Sequence, residues 1–244
     1  MSADRSKPAI ELDAVGFQYE DMRMQFSLSV PSGAFLAVIG PSGAGKSTLL
    51  NLIAGFERPS SGEVRLYGVP MGDTPPAERP VTMLFQDHNL FAHLDVAANV
   101  GLGIDPGLRL SAADREKVAA ALAEVGLAGF EKRRPAQMSG GERQRVALAR
   151  CLVRNQPILL LDEPFAALGP RMRHDMLDLV DRLGRSHGLT IVMVTHSPAD
   201  ARRGADFTAF VLAGEVRRVG PTAELLARRD DAALNDYLGD VGES

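Results

Sequence analysis

A glycine-rich loop between an apolar run and a helical run constrains the fold more than any other feature. Residues 40–48 read GPSGAGKST, directly after the apolar run Phe35–Ile39 and before the helical run Leu49–Ala54. A strand, this spacing of glycines and lysine, and a helix together are the context of a phosphate-binding loop. The glycines let backbone N–H groups approach phosphate oxygens, and the helix N-terminus adds partial positive charge. The loop therefore predicts an α/β chain that binds a nucleoside phosphate.

The residue types of this loop match that chemistry. Lys46 can reach the β and γ phosphates of a nucleotide, and Ser47 can supply a hydroxyl ligand to Mg²⁺. An ordinary glycine-rich turn is the structural alternative. The predicted nucleotide-binding residues of the loop are Gly40, Pro41, Ser42, Gly43, Ala44, Gly45, Lys46, Ser47 and Thr48.

Two adjacent carboxylates follow a second apolar run, Ile158–Leu161. They are Asp162 and Glu163. Because ligands of open α/β sheets bind at the carboxyl ends of the strands, both acids should face the same crevice as Lys46. We expect Asp162 to bind Mg²⁺, through a water, and Glu163 to polarise the attacking water. A solvated turn is the alternative for the pair taken alone.

A second candidate anion site lies between these two elements, where residues 138–143 read MSGGER. Ser139 is suited to cap the helix that follows, and Gly140 and Gly141 leave backbone N–H groups open at its N-terminus. The alternative is a helix start with a flexible entry. If the anion site is real, one chain carries two phosphate-directed elements.

The remaining pattern predicts the architecture. Apolar and polar residues alternate at the period of a half-buried strand at Met24, Phe26, Leu28 and Val30. This alternation predicts an N-terminal antiparallel β layer. Short apolar runs predict the buried strands of a parallel sheet at residues 35–39, 81–85, 158–161 and 189–194. The fold class is therefore α/β, a phosphate-loop NTPase core with a parallel sheet, an antiparallel β layer and an inserted helical subdomain.

Helical signals alone occupy residues 87–138, which we assign to that inserted subdomain. Ser111 and Asp114 have the spacing of a capping box, and Gly126 predicts a helix end. We expect a single domain over residues 1–244, with its catalytic core at 9–86 and 139–244. Near the C-terminus we expect a hairpin at residues 213–214 and one or two helices within 221–238.

Composition excludes several other classes of protein. The chain has 244 residues, of which 45% are hydrophobic and 24% charged, so it is not intrinsically disordered. Cys151 is the single cysteine, which excludes an internal disulfide framework and favours a reducing compartment. The net charge of −4 offers no global field for nucleic acid. No apolar run approaches membrane-spanning length and Met1–Pro8 is polar, so we expect a protein kept on the cytoplasmic side.

In order and spacing, the loop at 40–48, the stretch at 138–142 and the acidic pair resemble the nucleotide-binding subunit of ATP-binding cassette (ABC) transporters over nearly the whole chain. Three further residues each match a conserved position of the family. The resemblance implies that Gln86 touches Mg²⁺ and the attacking water, that His196 contacts the γ-phosphate, and that Tyr19 stacks on adenine. Phe17 is close by, and core packing explains either ring equally well.

The resemblance also implies cofactors, partners and location. ATP and Mg²⁺ are the expected cofactors. Two copies are expected to pack head to tail, with Ser139, Gly140 and Gly141 of one copy closing over the ATP at Lys46 of the other. An integral membrane permease docks on the inserted helices, a periplasmic solute-binding protein acts indirectly, and nucleic acid is not a partner. The expected location is peripheral, on the cytoplasmic face of the inner membrane.

Within the family, the chain is similar to the ATPase subunits of bacterial thiamine importers. The similarity lies in the stretches at 49–56, 83–91, 101–108 and 149–154. It implies thiamine or its phosphates as cargo. The alternatives are an importer ATPase for another small solute, a cassette ATPase acting on nucleic acid or ribosomes, and a small-molecule kinase with a phosphate loop.

Two residues depart from the family pattern. Gly169 stands where the family usually has Asp, in the loop between Phe165 and Pro170, which puts communication between the two sites of a dimer in question. Glu142 replaces the usual Gln of the signature, a milder change. An Asp at position 169 would be favourable only if the backbone there does not require glycine.

Overall fold

The computed structural model describes residues 7–19, 22–85, 90–228 and 230–242. In this part of the chain the strands are β1 (Ile10–Tyr19), β2 (Met22–Val30), β3 (Phe35–Ile39), β4 (Ser61–Leu66), β5 (Val69–Pro70), β6 (Val81–Leu84), β7 (Ile158–Asp162), β8 (Thr190–Val194), β9 (Phe207–Leu212) and β10 (Glu215–Pro221). They form one mixed sheet in the order β5-β4-β1-β2-β10-β9-β3-β8-β7-β6.

Helices cover both faces of this sheet. They are α1 (Lys46–Ala54), α2 (Val96–Gly101), α3 (Ala112–Glu124), α4 (Gly140–Val153), α5 (Pro170–His187), α6 (Pro198–Gly204), α7 (Thr222–Ala227) and α8 (Ala232–Gly242), with a short 3₁₀ turn at Pro135–Gln137. None of the helices in the described ranges is long and apolar enough to cross a membrane. The prediction of an α/β fold is confirmed.

The antiparallel layer forms as the alternating pattern predicts. β1 pairs antiparallel with both β2 and β4. β2 buries four alternating side chains, which are those of Met24, Phe26, Leu28 and Val30. The residues between them are exposed. The layer is joined to the rest of the sheet where β2 pairs with β10 at Gln25 and Glu215. Local pattern does not reveal this junction, since it depends on residues far apart in the chain.

The strands of the central sheet run parallel and carry the candidate site at their carboxyl ends. β3 lies between β8 and β9, and β7 lies between β6 and β8. Every residue of β3 and of β8 is buried, as expected of a sheet covered on both faces. Leu36 and Val38 pack on the α1 side, whereas Ala37 and Ile39 pack against the C-terminal helices.

Between β6 and β7 the described residues form helices and turns but no strand. Ser111 and Asp114 form the predicted capping box at the start of α3, and Gly126 follows its end with φ +76°. Val118 and Leu122 are buried against α2 and α4, in the cluster that also contains Cys151. Burial in this cluster raises the pKa of the Cys151 thiol to about 11. The division of the chain into a catalytic core and a helical subdomain remains a prediction.

The C-terminal region forms a hairpin and two helices. Ala213 and Gly214 form the turn between β9 and β10, with positive φ at both residues. The helices α7 and α8 follow, and Leu234 and Tyr237 of α8 pack against Ile39 and Phe210 of the central strands. This contact brings α8 beneath the point where β3 enters the glycine-rich loop.

Candidate nucleotide-binding site

The glycine-rich loop leaves β3 at Ile39 and enters α1 at Lys46. Gly40 has φ +149°, and a Cβ at this position would overlap the backbone carbonyl oxygen of Val211 in β9. Only glycine fits there, because the loop turns directly against the neighbouring strand. The first N–H groups of α1 have no acceptor within the helix, as at any helix N-terminus. The loop therefore presents N–H groups and a helix N-terminus in the arrangement that binds phosphate.

The Lys46 ammonium lies inside this loop. Its Nζ donates hydrogen bonds of 2.8 Å to the carbonyl oxygens of Gly40 and Pro41, and the residue is only 6% exposed. Burial lowers the pKa of Lys46, while the nearby charges of Glu163 and Asp162 act in the opposite direction. Lys46 therefore lies close to both acids, while the roles assigned to these residues remain predictions.

A hydroxyl and a carboxylate meet where α1 begins and β7 ends. Ser47 Oγ donates to Asp162 Oδ1 at 3.1 Å, although the two residues are far apart in sequence. Burial raises the pKa of the Asp162 carboxyl, only partly offset by the hydrogen bond from Ser47. A partly desolvated carboxylate beside a hydroxyl oxygen suits Mg²⁺, which prefers such oxygen ligands. These residues fit the predicted metal site, and a cation would supply the charge compensation that Asp162 lacks.

Glu163 turns sharply away from the strand that precedes it. Its φ is +43°, uncommon for a residue with a side chain, and its N–H donates to Val194 O at 3.1 Å. Strained backbone of this kind concentrates at functional sites. The turn brings Glu163 Oε2 to 3.2 Å from His196 Nδ1. The two predicted catalytic residues thus contact each other, at the ends of neighbouring strands β7 and β8.

The predicted second anion site is built as a helix start. Ser139 is the N-cap of α4: its Oγ accepts from the N–H of Glu142, and its own N–H donates to Glu142 Oε2 at 2.7 Å. Hydrogen bonding from the backbone N–H of Ser139, and next from its hydroxyl, lowers the pKa of the Glu142 carboxyl. Gly141 lies beneath Met172 of α5, so a side chain there would overlap that methionine. Within the described ranges, no hydrogen bond or ion pair joins Ser139, Gly140 or Gly141 to the glycine-rich loop.

The candidate aromatic residues differ in exposure. Tyr19, at the end of β1, is 60% exposed, whereas Phe17 packs against the core cluster beneath the antiparallel layer. Tyr19 therefore offers more ring surface for stacking on a base than Phe17 does, and its role remains a prediction. Gln86, predicted to contact both metal and water, lies outside the described residues.

Comparison with known proteins decides the family. The ABC transporter family profile matches residues 24–166, which include the glycine-rich loop, the Ser139 motif and the acidic pair. The chain belongs to the ABC transporter family. It is 53% identical, over 95% of its length and 96% of the relative's, to the thiamine import ATP-binding protein ThiQ of Brucella suis biovar 1. Identity to the protein of that name in Rhizobium meliloti is 54%, over 97% of this chain and 100% of the relative.

A solved ABC cassette has the same fold. The dimeric structure of MJ0796, a bacterial ABC transporter cassette, superposes with a TM-score of 0.74 at 32% identity, covering 87% of this chain and 98% of that one.

Sequence reasoning missed Arg79, which lies at the far end of α1 in this ABC cassette. Arg79 is buried; its Nη1 donates to the carbonyl oxygens of Leu52 and Ile53 at 2.8 and 2.9 Å, and its Nε donates to Thr74 O at 3.0 Å. The guanidinium thus satisfies the last carbonyls of the helix whose first turn faces the phosphates. Burial lowers its pKa. No local pattern marks this role, because the helix end lies more than twenty residues earlier.

A second group missed from the sequence lies behind His196. Asp200 is buried. Its carboxylate accepts two hydrogen bonds, one of 2.8 Å from Thr195 Oγ1 and one of 2.9 Å from Arg173 Nε. On the other side, Tyr237 donates to the carbonyl oxygen of His196 at 2.8 Å. The strand β8 and the helices α5, α6 and α8 come together only in the folded cassette, so sequence spacing gave no signal for this group.

Proposed function

We propose that this chain is the ATP-hydrolysing subunit of an importer for thiamine or its phosphates. It works as a homodimer on an integral membrane permease. The observation that carries the proposal is that Lys46, Ser47, Asp162, Glu163 and His196 meet at the carboxyl ends of β3, β7 and β8. A phosphate cradle, oxygen ligands for a metal and a base beside an imidazole are the groups that ATP hydrolysis requires.

The chemistry divides among these residues. Lys46 and the N–H groups at the start of α1 bind the β and γ phosphates. When the phosphates are bound, their oxygens replace the carbonyl oxygens of the loop as partners of the Lys46 ammonium. Ser47 and Asp162 would hold Mg²⁺, with Gln86 as a further ligand; the bound ion neutralises phosphate charge. Glu163 accepts the proton of the attacking water. His196 keeps Glu163 oriented and contacts the γ-phosphate.

A second copy completes each site. Within the described ranges, Ser139, Gly140 and Gly141 make no hydrogen bond to the glycine-rich loop of their own chain. In the proposed dimer this motif closes over the nucleotide of the partner. The related cassette MJ0796 has a dimeric structure, which supports a dimer for this chain. Tyr19, with its exposed ring, stacks on adenine.

The cargo and the partners are proposed from the relatives and from one surface cleft. The two relatives compared above are named for thiamine import, and they match this chain over almost their entire lengths. A cleft of about 280 Å³ is lined by Phe56, Phe85 and Arg154, and the two phenylalanine rings, 5.8 Å apart, are both exposed. Exposed aromatic pairs of this kind suit a protein partner. We assign this cleft and the neighbouring inserted helices to the permease, at the cytoplasmic face of the inner membrane.

The test is reconstitution. The full chain is isolated with the permease that co-purifies from membranes, inserted into vesicles, and supplied with the periplasmic solute-binding protein, ATP, Mg²⁺ and labelled thiamine. We expect ATP hydrolysis coupled to thiamine uptake. The Glu163→Gln variant should bind ATP, accumulate as a dimer on size-exclusion chromatography and hydrolyse ATP at least ~10²-fold more slowly, because the proton acceptor is lost.

The matched control is Glu63→Gln, which removes a carboxylate from β4 in the antiparallel layer and should leave hydrolysis unchanged. Near-normal turnover by Glu163→Gln would remove Glu163 from its assigned role. Hydrolysis coupled to uptake of another solute would keep the importer ATPase and overturn the thiamine assignment. A wild-type complex that hydrolyses no ATP would overturn the proposal as a whole.

A further inference from the structure

We propose that the hydroxyl of Tyr237 is a positioning group for ATP hydrolysis, because it ties the C-terminal helix to the backbone of His196. Its Oη donates to the carbonyl oxygen of His196 at 2.8 Å. Tyr237 also packs in one apolar cluster with Ile39, the last residue of β3 before the phosphate loop. One side chain on α8 therefore contacts His196, after β8, by a hydrogen bond and the end of β3 by packing.

Packing against neighbouring side chains holds the ring of Tyr237 in place. It is 8% exposed and packs against Phe210 of β9, with ring centroids 5.6 Å apart. Burial raises the pKa of Tyr237 to about 12. The hydroxyl consequently stays protonated at neutral pH and remains a donor to the His196 carbonyl.

The backbone on either side of His196 is restrained by a separate set of contacts. The N–H of Ser197 donates to Thr195 Oγ1 at 3.1 Å, and Thr195 Oγ1 in turn donates to the buried carboxylate of Asp200. His196 itself is half-exposed on its side-chain face, toward Glu163. The Tyr237 hydrogen bond adds a restraint on the histidine carbonyl, in addition to these contacts.

This inference rests on the proposed function, because a positioning group has meaning only if His196 takes part in hydrolysis. Without the Tyr237 hydroxyl, the carbonyl of His196 loses the hydrogen bond that this hydroxyl donates. The phosphate cradle itself keeps Lys46 and the first turn of α1. Removal of the hydroxyl should therefore affect the rate of the chemical step more than the binding of ATP.

The experiment uses Tyr237→Phe in the full chain, assembled with its permease. This variant keeps the ring against Phe210 and removes only the hydroxyl. We expect kcat to fall about three- to tenfold, the effect of losing one hydrogen bond, with KM for ATP changed less than twofold. Tyr67→Phe is the matched control, because it removes a hydroxyl at the turn between β4 and β5, at the far edge of the sheet.

A double-mutant cycle separates positioning from general stabilisation of the fold. If Tyr237 acts through His196, Tyr237→Phe should have no further effect on kcat in a His196→Ala background. An equal fractional loss of kcat in both backgrounds would overturn the inference, as would an unchanged kcat in Tyr237→Phe alone. Wild-type hydrolysis is measured in the same series, so failure of the proposed function appears as a missing wild-type rate instead.

Discussion

Replacing Gly169 by the aspartate usual in the family tests how the two sites of a dimer communicate. Gly169 is the N-cap of α5, with φ −64° and ψ 157°, and no side chain caps this helix. A Cβ at this position would meet no atom within 4 Å. The backbone is extended, so any residue can adopt it. The conformational cost that a positive φ would have imposed is absent.

The structure also gives the expected size of the effect on stability. An Asp at an N-cap is better than Gly by a few tenths of a kcal/mol, and a negative charge at a helix N-terminus adds about 0.3–1 kcal/mol. Loss of glycine freedom in the unfolded chain contributes about 0.4–1 kcal/mol more. The first turn of α5 carries no acidic residue that would oppose the new charge. Gly169→Asp should therefore stabilise the chain by about 1–2 kcal/mol and raise its melting temperature by about 2–8 °C.

The same substitution is expected to tighten the ATP-bound dimer. If the Asp side chain reaches the phosphate loop of the partner, as the family resemblance implies, a charge-assisted hydrogen bond should favour closure by about 1–3 kcal/mol. Gly169→Asn is the matched control, because Asn caps a helix as well as Asp does but carries no charge. Both variants should gain melting temperature, and only Gly169→Asp should shift the ATP-dependent dimer and alter the hydrolysis rate several-fold.

Three measurements on each variant decide the question: melting temperature without nucleotide, dimer fraction against ATP concentration, and steady-state hydrolysis. Equal tightening of the dimer by Asp and Asn would refute the role assigned to the charge. An unchanged dimer and rate in both would mean that the backbone of this loop already makes the contact that matters. A fall in melting temperature would refute the N-cap argument.

Two further predictions follow from the loop and the metal site. Gly40→Ala should destabilise the chain by about 2–4 kcal/mol and abolish ATP binding, because the new methyl group overlaps the carbonyl oxygen of Val211. The control is Gly43→Ala, whose Cβ would meet open space and which should cost only about 1 kcal/mol of stability. Equal losses of stability by the two variants in thermal melts would contradict this prediction. Asp162→Asn should raise the melting temperature of the nucleotide-free chain by a few degrees at neutral pH and remove the Mg²⁺-dependent gain with ATP. The pKa of Asp162 in the folded chain lies above its ordinary value of 3.8. The carboxyl therefore lowers stability as the pH rises from 3.8 through the folded-state pKa. A variant without the carboxyl should lose this pH dependence of stability, as measured by calorimetry.

Much of this molecule could be predicted because the signals are local. The capping boxes at Ser111 and Ser139 join residues three positions apart, so the sequence alone contains both partners. The strands that precede Gly40 and Asp162 are continuous apolar runs, and strands of this kind lie inside a parallel sheet. Their carboxyl ends meet at one edge, which is why Lys46 and the acidic pair could be assigned to one crevice before any coordinates.

Tertiary structure alone decided the contacts that depend on strand order and on backbone torsion. The positive φ of Glu163, which turns its carboxylate toward His196, has no sequence signature, because residues with side chains rarely adopt it. Arg79 at the end of α1 and Tyr237 behind His196 look in sequence like ordinary surface and helix residues. Their partners lie 26 and 41 positions away, across elements that meet only when the sheet has assembled. Residue pattern specifies which elements form, whereas the packing of those elements determines which distant side chains touch.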